Sequence, residues 1–251
     1  MKHLFFGLAA GVFLQGAMAQ GCSARSPAHT IALVELYTSE GCSSCPPADQ
    51  FLGSRRGAGL RADQAVMLAL HVDYWNYIGW KDPFSSAAFT ARQRWLSNLA
   101  GSHTIYTPEF FVAGKEARNW SDGLEAAVKR VNSMPAQAGI AISMGAAAKG
   151  TLPVQVNASG KPGTKLFLAL LESGLATQVA AGENQGRTLR HDFVVRDWPA
   201  PVTIGADGKA VLSRAMPIAP GVPLSRYGVA AFVQSEQGAV LQALSLGACG
   251  G

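Results

Sequence analysis

The sequence predicts an α/β unit over residues 28–135, with a central mixed sheet flanked by helices, followed by a mainly-β, sandwich-like unit over 138–247. Two observations carry this. From Thr30 to about Met134 short apolar runs alternate with helix-like stretches, the pattern of a parallel or mixed sheet covered by helices. Past Pro135 the helix-like stretches stop, and short strand-like runs follow one another between Gly, Pro, Asn or Asp punctuation.

Taken in order, residues 31–37 form a short apolar run of strand length, closed by the turn-prone Thr38, Ser39, Glu40 and Gly41. A helix-like stretch over 46–60 carries Ala48, Phe51 and Leu52. Residues 66–72 give a second apolar strand, then an aromatic-rich segment with Tyr74, Trp75, Tyr77 and Trp80, then a helical pattern over 85–99. Thr107-Pro108 precedes a third strand over 109–113, turned by Gly114, and Ser121-Asp122 caps a last helix bearing Leu124, Ala127, Val128 and Val131. In the second unit, strand-like runs cover 139–144, 152–158, 165–171, 188–195, 201–205 and 229–234. Hairpin turns are expected at 206–209 and 234–238, the latter leading into a run over 239–244.

Composition bounds the function. The chain has 251 residues, 48% hydrophobic and 15% charged, which suits a folded core and excludes a disordered chain. Its 21 Lys and Arg give a formal charge of +5 but are scattered, so no nucleic-acid or membrane-surface patch is expected. Lys2, the uncharged stretch 4–18 and Ala17-Met18-Ala19 read as an export signal over 1–19, cleaved after Ala19. Gly7, Gly11, Gln15 and Gly16 interrupt that stretch, which falls short of the roughly 20 apolar residues of a membrane span. The expected location is therefore periplasmic or secreted, where disulfides persist.

The sharpest chemical signal is Gly41-Cys42-Ser43-Ser44-Cys45-Pro46-Pro47, after a strand and at a helix start. A helix N-terminus stabilises a thiolate and lowers the pKa of the first cysteine. Cys42 is thus expected as the exposed attacking thiol and Cys45 as the resolving one, with a structural bridge and a soft-metal pair as alternatives. Closing so short a loop contributes only about 2 kcal/mol. A Cys22–Cys249 bridge would enclose nearly the whole mature chain and contribute about 5 kcal/mol, so it is expected as the structural disulfide, with lipidation of Cys22 or free thiols as the alternatives.

Strand, Cys-x-x-Cys, helix, strand and then Thr107-Pro108 before another strand resembles the thioredoxin fold. That resemblance implies a cis Pro108 beside the cysteines, with Thr107 binding substrate in extended form; an ordinary trans turn proline is the alternative. The stretches 34–49, 71–84 and 106–108, with Gly182, Glu183, Asn184, Arg187 and His191, are similar to an uncharacterised family of exported bacterial thioredoxin-like proteins, domain of unknown function 1223. The resemblance implies a fold and no substrate. Two departures from ordinary thioredoxins stand out: no Trp precedes Cys42, and Ser43-Ser44 separates the cysteines.

If the first two strands are parallel neighbours, their C-terminal ends bring Asp73, Tyr74 and Trp75 near Cys42 as substrate-binding candidates. Glu35 is a candidate buried acid taking the proton of Cys45, unless it points to solvent or pairs with a base. His71 reads as a strand residue, or as a ligand. The aromatics of 74–84 read as core packing, a lid, or an apolar platform for a partner. Glu183, Asn184, Arg187 and His191 form a polar cluster that suits a turn, a contact between units or a site. The leading expectation is thiol–disulfide exchange with protein thiols or disulfides as partners and no cofactor. The alternatives are a non-catalytic binding module and a Cu(I) carrier using the two cysteines and His71.

Overall fold

Two strands buried on both faces set the frame. In a computed structural model, which describes residues 21–58 and 64–249, strand β1 (Cys22–Arg25) leads into β2 (Ala32–Thr38), every residue of which is buried. Helix α1 (Pro46–Ala58) follows, with Pro46 and Pro47 in its first turn, where N–H groups have no intrahelical acceptor. Strand β3 (Ala65–His71) is again buried throughout and pairs in parallel with β2. Such near-continuous apolar runs are what a strand covered on both faces requires. Helix α2 (Ala87–Leu99) starts at Ser86, whose hydroxyl accepts from the Ala88 amide. Strands β4 (Glu109–Val112) and β5 (Lys115–Glu116) form a hairpin, and helix α3 (Trp120–Asn132) buries Leu124 and Val128. The leader expected over 1–19 lies outside the described residues.

Past α3 the described elements are strands, apart from one 3-10 turn at Leu224–Arg226: β6 (Gly139–Met144), β7 (Thr151–Ser159), β8 (Lys165–Glu172), β9 (Leu175–Gln178), β10 (Thr188–His191), β11 (Val194–Asp197), β12 (Val202–Thr203), β13 (Lys209–Pro217), β14 (Tyr227–Gln234) and β15 (Val240–Gly247). The run expected over 188–195 is two strands, because Phe193 takes a positive φ of 57° and breaks it.

These elements correct the expected fold class. A helix-flanked, thioredoxin-like α/β domain followed by a separate sandwich-like unit is not what forms. The described residues hold fifteen strands against three α-helices. A nine-stranded sheet runs β15-β14-β8-β11-β3-β2-β4-β5, with β12 attached to β8, and so draws strands from both sides of Pro135. The joint is β11, parallel to β3 and antiparallel to β8. A four-stranded sheet, β1-β6-β7-β13, packs on the β8–β14–β15 end. Strand β7 alternates cleanly, with Leu152, Val154, Val156 and Ala158 turned into that core. Helices α1 and α3 cover the opposite face of β2, β3 and β4 through Ala48, Leu52, Leu124 and Val128. Sequence reasoning failed at the joint because a strand of four residues leaves no signal of which sheet edge it will join.

One ion pair ties the two halves through their interior. Arg92 on α2 donates from Nε to Glu35 Oε1 at 2.6 Å and from Nη2 to Glu35 Oε2 at 3.1 Å. Nη2 also reaches Gln234 Oε1 on β14, and the Tyr37 hydroxyl donates to Glu35. The guanidinium lies 5.1 Å from the Phe167 ring and 5.0 Å from the Phe232 ring, which stack on each other across β8 and β14. A buried charge needs such complete pairing, since desolvation alone costs several kcal/mol per ion. Glu35→Ala or Arg92→Ala is therefore expected to cost about 3–5 kcal/mol in urea unfolding, because each strands a buried charge. The double variant Glu35→Leu/Arg92→Met should recover most of that loss, whereas losses that simply add would show no coupling between the two side chains.

Candidate functional site

Strands β2 and β3 end side by side, and the loops leaving them build the site. Cys42 and Cys45 are joined by a disulfide at the start of α1, where the Cys45 carbonyl accepts from the Ala48 and Asp49 amides. Pro46 and Pro47 have no N–H to offer, which leaves the helix end and the nearby Ser44 hydroxyl to stabilise a thiolate there. The Thr107-Pro108 bond is cis, and the Thr107 carbonyl oxygen lies 3.8 Å from Cys42 Sγ. Trp75 Nε1 donates to Thr107 Oγ1 at 2.7 Å, locking the aromatic segment against that loop. The Ser44 hydroxyl sits 3.3 Å from Cys42 Sγ. Gly41 suits this close packing, because a Cβ there would come within 3.1 Å of Trp75 Cβ and 3.2 Å of Ile78 Cδ1 and push these side chains outward.

Several expected residues are placed otherwise. Cys42 was expected as an exposed thiol, yet Cys42 and Cys45 are both 0% exposed. What covers the loop is the turn between β9 and β10, the polar cluster singled out in the sequence. Asn184 Nδ2 donates to the carbonyls of Glu40 and Cys42 at 2.8 and 3.0 Å, and Ser43 N donates to Glu183 Oε2 at 2.9 Å. The Ser43 amide holds the Glu183 carboxyl below its ordinary range. Arg187 Nη1 donates to Asn184 Oδ1, which fixes the amide's orientation. Gly182, at φ 77°, lets this turn approach Ile78.

Glu35 is not the acid of Cys45. It lies on the strand face opposite α1, and its hydrogen bonds go to Arg92 and Tyr37, the base-paired alternative. The Asp73 carboxylate accepts from the Thr90 hydroxyl on α2, so it is held by the scaffold instead of facing the sulfurs. Tyr74 is partly buried, and burial pushes its phenol up to about 12. Tyr77 stands out from the same segment, 82% exposed. Cys22 and Cys249 form a disulfide joining β1 to the residues after β15.

A buried polar network underlies the cysteine loop. His71 Nδ1 and Asp82 Oδ2 are 2.7 Å apart, and Asp82 also accepts from the Glu40 and Phe84 amides. Burial opposes ionisation of Asp82, but His71 and those amides outweigh it and keep its carboxyl below the ordinary range. Glu40 accepts from Trp80 Nε1 at 2.9 Å and lies 3.1 Å from His191 Nε2. Asp49, on α1, accepts from the Thr38 hydroxyl and lies 3.8 Å from His191 Nδ1, too far for a hydrogen bond. Burial by itself would lower the His191 imidazole; Asp49 and Glu40 more than offset this and lift it to about 9. Asp49, His71 and His191 are the group among the described residues arranged to hold a metal ion. Glu40, Asp49 and Asp82 escaped sequence reasoning, since isolated acids in turns and helices look like solvated surface.

Glu109, next to Pro108, also went unnoticed. It is 2% exposed, accepts from Gln93 Nε2 at 2.6 Å, and burial pushes its carboxyl up to about 7.

Fold and site together define a mostly-β protein with two disulfides, whose central sheet spans both halves of the chain and whose cysteine loop is hydrogen-bonded by a turn of its own second half. The chain belongs to the family described as Protein of unknown function (DUF1223), whose model matches residues 33–234. No curated protein matches the sequence. Among solved structures, it is similar to a protein from Agrobacterium tumefaciens, with 25% identity, a TM-score of 0.62, and coverage of 88% of this chain and 96% of that one. HBP35 of Porphyromonas gingivalis shares the fold at 15% identity and a TM-score of 0.64, over 89% of this chain and 76% of that one.

The raised Glu109 pKa sets a pH dependence. Its folded value lies above the unfolded one, so the carboxyl stabilises the fold fully below about 4.5 and loses that contribution as pH rises through about 7. Glu109→Gln is expected to flatten this slope and to raise the melting temperature at pH 8 relative to the parent, while changing it little at pH 4.5. Parallel melting curves for parent and variant across that range would contradict the assignment.

Proposed function

We propose that this is an exported thiol–disulfide exchange protein working through Cys42 and Cys45 on protein thiols or disulfides. The observation that carries the reading is the approach of the Thr107 carbonyl, beside cis Pro108, to the Cys42 sulfur at the N-terminus of α1. A backbone carbonyl at that position offers an extended partner strand an acceptor next to the reacting sulfur. The Trp75 indole braces Thr107, and exposed Tyr77 extends an apolar surface from the same segment. Export is supported by the leader-like residues 1–19 and by two disulfides.

In the oxidising direction, a partner thiolate attacks Cys42 Sγ. The mixed disulfide forms as the Cys42–Cys45 bond breaks, and Cys45 leaves as a thiolate that takes a proton from solvent. A second partner thiolate attacks the partner sulfur of the mixed disulfide and expels Cys42 as a thiolate, which the helix end stabilises. The partner gains a disulfide and the protein a dithiol, a two-electron transfer that also runs in reverse.

The complete burial of both cysteines favours a second reading, a binding module whose disulfide stays closed. On the exchange reading the turn carrying Glu183 and Asn184 must lift before a partner reaches Cys42. Three hydrogen bonds hold it down, each worth about 1 kcal/mol. Glu183→Ala/Asn184→Ala is therefore expected to speed reduction of the Cys42–Cys45 bond by dithiothreitol roughly ten- to hundredfold. Cys45→Ala should trap a mixed disulfide with a thiol-bearing partner, and Cys42→Ser should trap none. Reduction at the parental rate together with no trapped species would leave the closed-module reading.

A further inference from the structure

We propose that Asp49, His71 and His191 form a buried binding site for a divalent transition-metal ion, with Zn(II) as its chemical type. The three residues come from α1, β3 and β10, and their exposures are 6%, 0% and 2%. Their ligating atoms all lie within 4.8 Å of one another. Tetrahedral coordination with bonds of about 2.05 Å places ligands about 3.3 Å apart, so modest ring rotations close the set around an ion.

The decisive feature is what each imidazole does with its other nitrogen. His71 Nδ1 is engaged by Asp82, and His191 Nε2 by Glu40. Carboxylates accept protons, so these contacts hold the N–H on His71 Nδ1 and His191 Nε2 and turn the other nitrogens, His71 Nε2 and His191 Nδ1, toward the shared space, where a bound cation would displace any proton on His191 Nδ1. Both of those atoms are buried and have no hydrogen-bond partner among the described residues. An orphaned buried polar atom costs about 1–3 kcal/mol, and two sharing one space with a carboxylate are better explained by a shared ligand than by two separate losses. A proton on His191 Nδ1 does not cure the deficit, since Asp49 Oδ1 is 3.8 Å away. Carboxylate–histidine–metal relays of this form orient and strengthen imidazole ligands. The rings meet edge to face at 4.9 Å, and Phe84 packs against both at 5.2 and 5.7 Å, an apolar wall that excludes water.

Two imidazoles and one carboxylate suit Zn(II) and its first-row neighbours better than Ca(II) or Mg(II), which take oxygen ligands. The cysteines take no part, being bonded to each other. The ion would tie α1 and β3 to β10 directly beneath the cysteine loop.

The test uses tag-free, oxidised mature protein, stripped with a chelator and titrated with Zn(II) by calorimetry, and with Co(II) by absorption. One-to-one binding is expected, with tetrahedral d–d bands, no thiolate charge-transfer band and a higher melting temperature. His71→Gln and His191→Gln should each weaken it roughly a hundredfold or more, and Asp82→Asn by about 10–100-fold, as loss of an outer partner does. No uptake by the parent overturns the site, and so does binding that both His substitutions leave intact. Should those variants fail to fold, the parent's Co(II) spectrum decides: weak octahedral bands like those of the free ion would also overturn it.

Discussion

Strand β11 is the constraint on which the rest of this molecule depends. It has only four residues, yet it pairs in parallel with β3 on one side and antiparallel with β8 on the other. Without it the sheet would end at β3, and the two halves of the chain would each keep an open edge, a surface that folded proteins take care to cover. With it, a strand from beyond residue 190 is hydrogen-bonded beside the strand leading out of the cysteine loop's neighbour; the Phe193 carbonyl accepts from the Ala69 amide at 2.9 Å. The segment leading into β11 is thereby carried to the cysteine loop. Asn184 reaches the Glu40 and Cys42 carbonyls, and His191 reaches Glu40.

That placement explains why so much charge is buried. Glu35, Glu40, Asp82, Arg92 and His191 lie in the interior, and each is met by an opposite charge or by several donors. Such groups rarely add net stability compared with apolar residues of similar volume. Their service is positional. Arg92 fixes α2 against β14 through Gln234, and Glu40 fixes the cysteine loop against β10. The cysteine loop is thereby held in one shape, with the Thr107 carbonyl near Cys42 Sγ and the Glu183–Asn184 turn hydrogen-bonded to the loop's backbone.

Much of this was legible in the sequence. The strands over 32–38 and 65–71 and the three helices stand close to where the apolar pattern puts them, and β6 and β7 were recognisable as short runs between turn residues. The Cys22–Cys249 bridge followed from chain length, and cis Pro108 from the resemblance of its surroundings. What was not legible is non-local. Whether Glu35 faces α1 or α2 depends on strand register, which a short sequence window does not carry. Whether β11 joins its own neighbours or β3 depends on which edge is left open after the first half has folded. The cluster of Glu183, Asn184, Arg187 and His191 was visible as a polar group, but its target, the cysteine loop, lies about 140 residues away.

The exchange reading stands or falls on the equilibrium between the closed and open forms of one bond. The direct measurement equilibrates the protein against a graded glutathione series extended with dithiothreitol. Alkylation and mass spectrometry of the peptide holding Cys42 and Cys45 then give the fraction bonded at each potential, separately from Cys22–Cys249. A midpoint between about −120 and −270 mV, the range of working oxidoreductases, is the predicted result. A bond that persists below about −300 mV would mark the pair as structural and contradict the account.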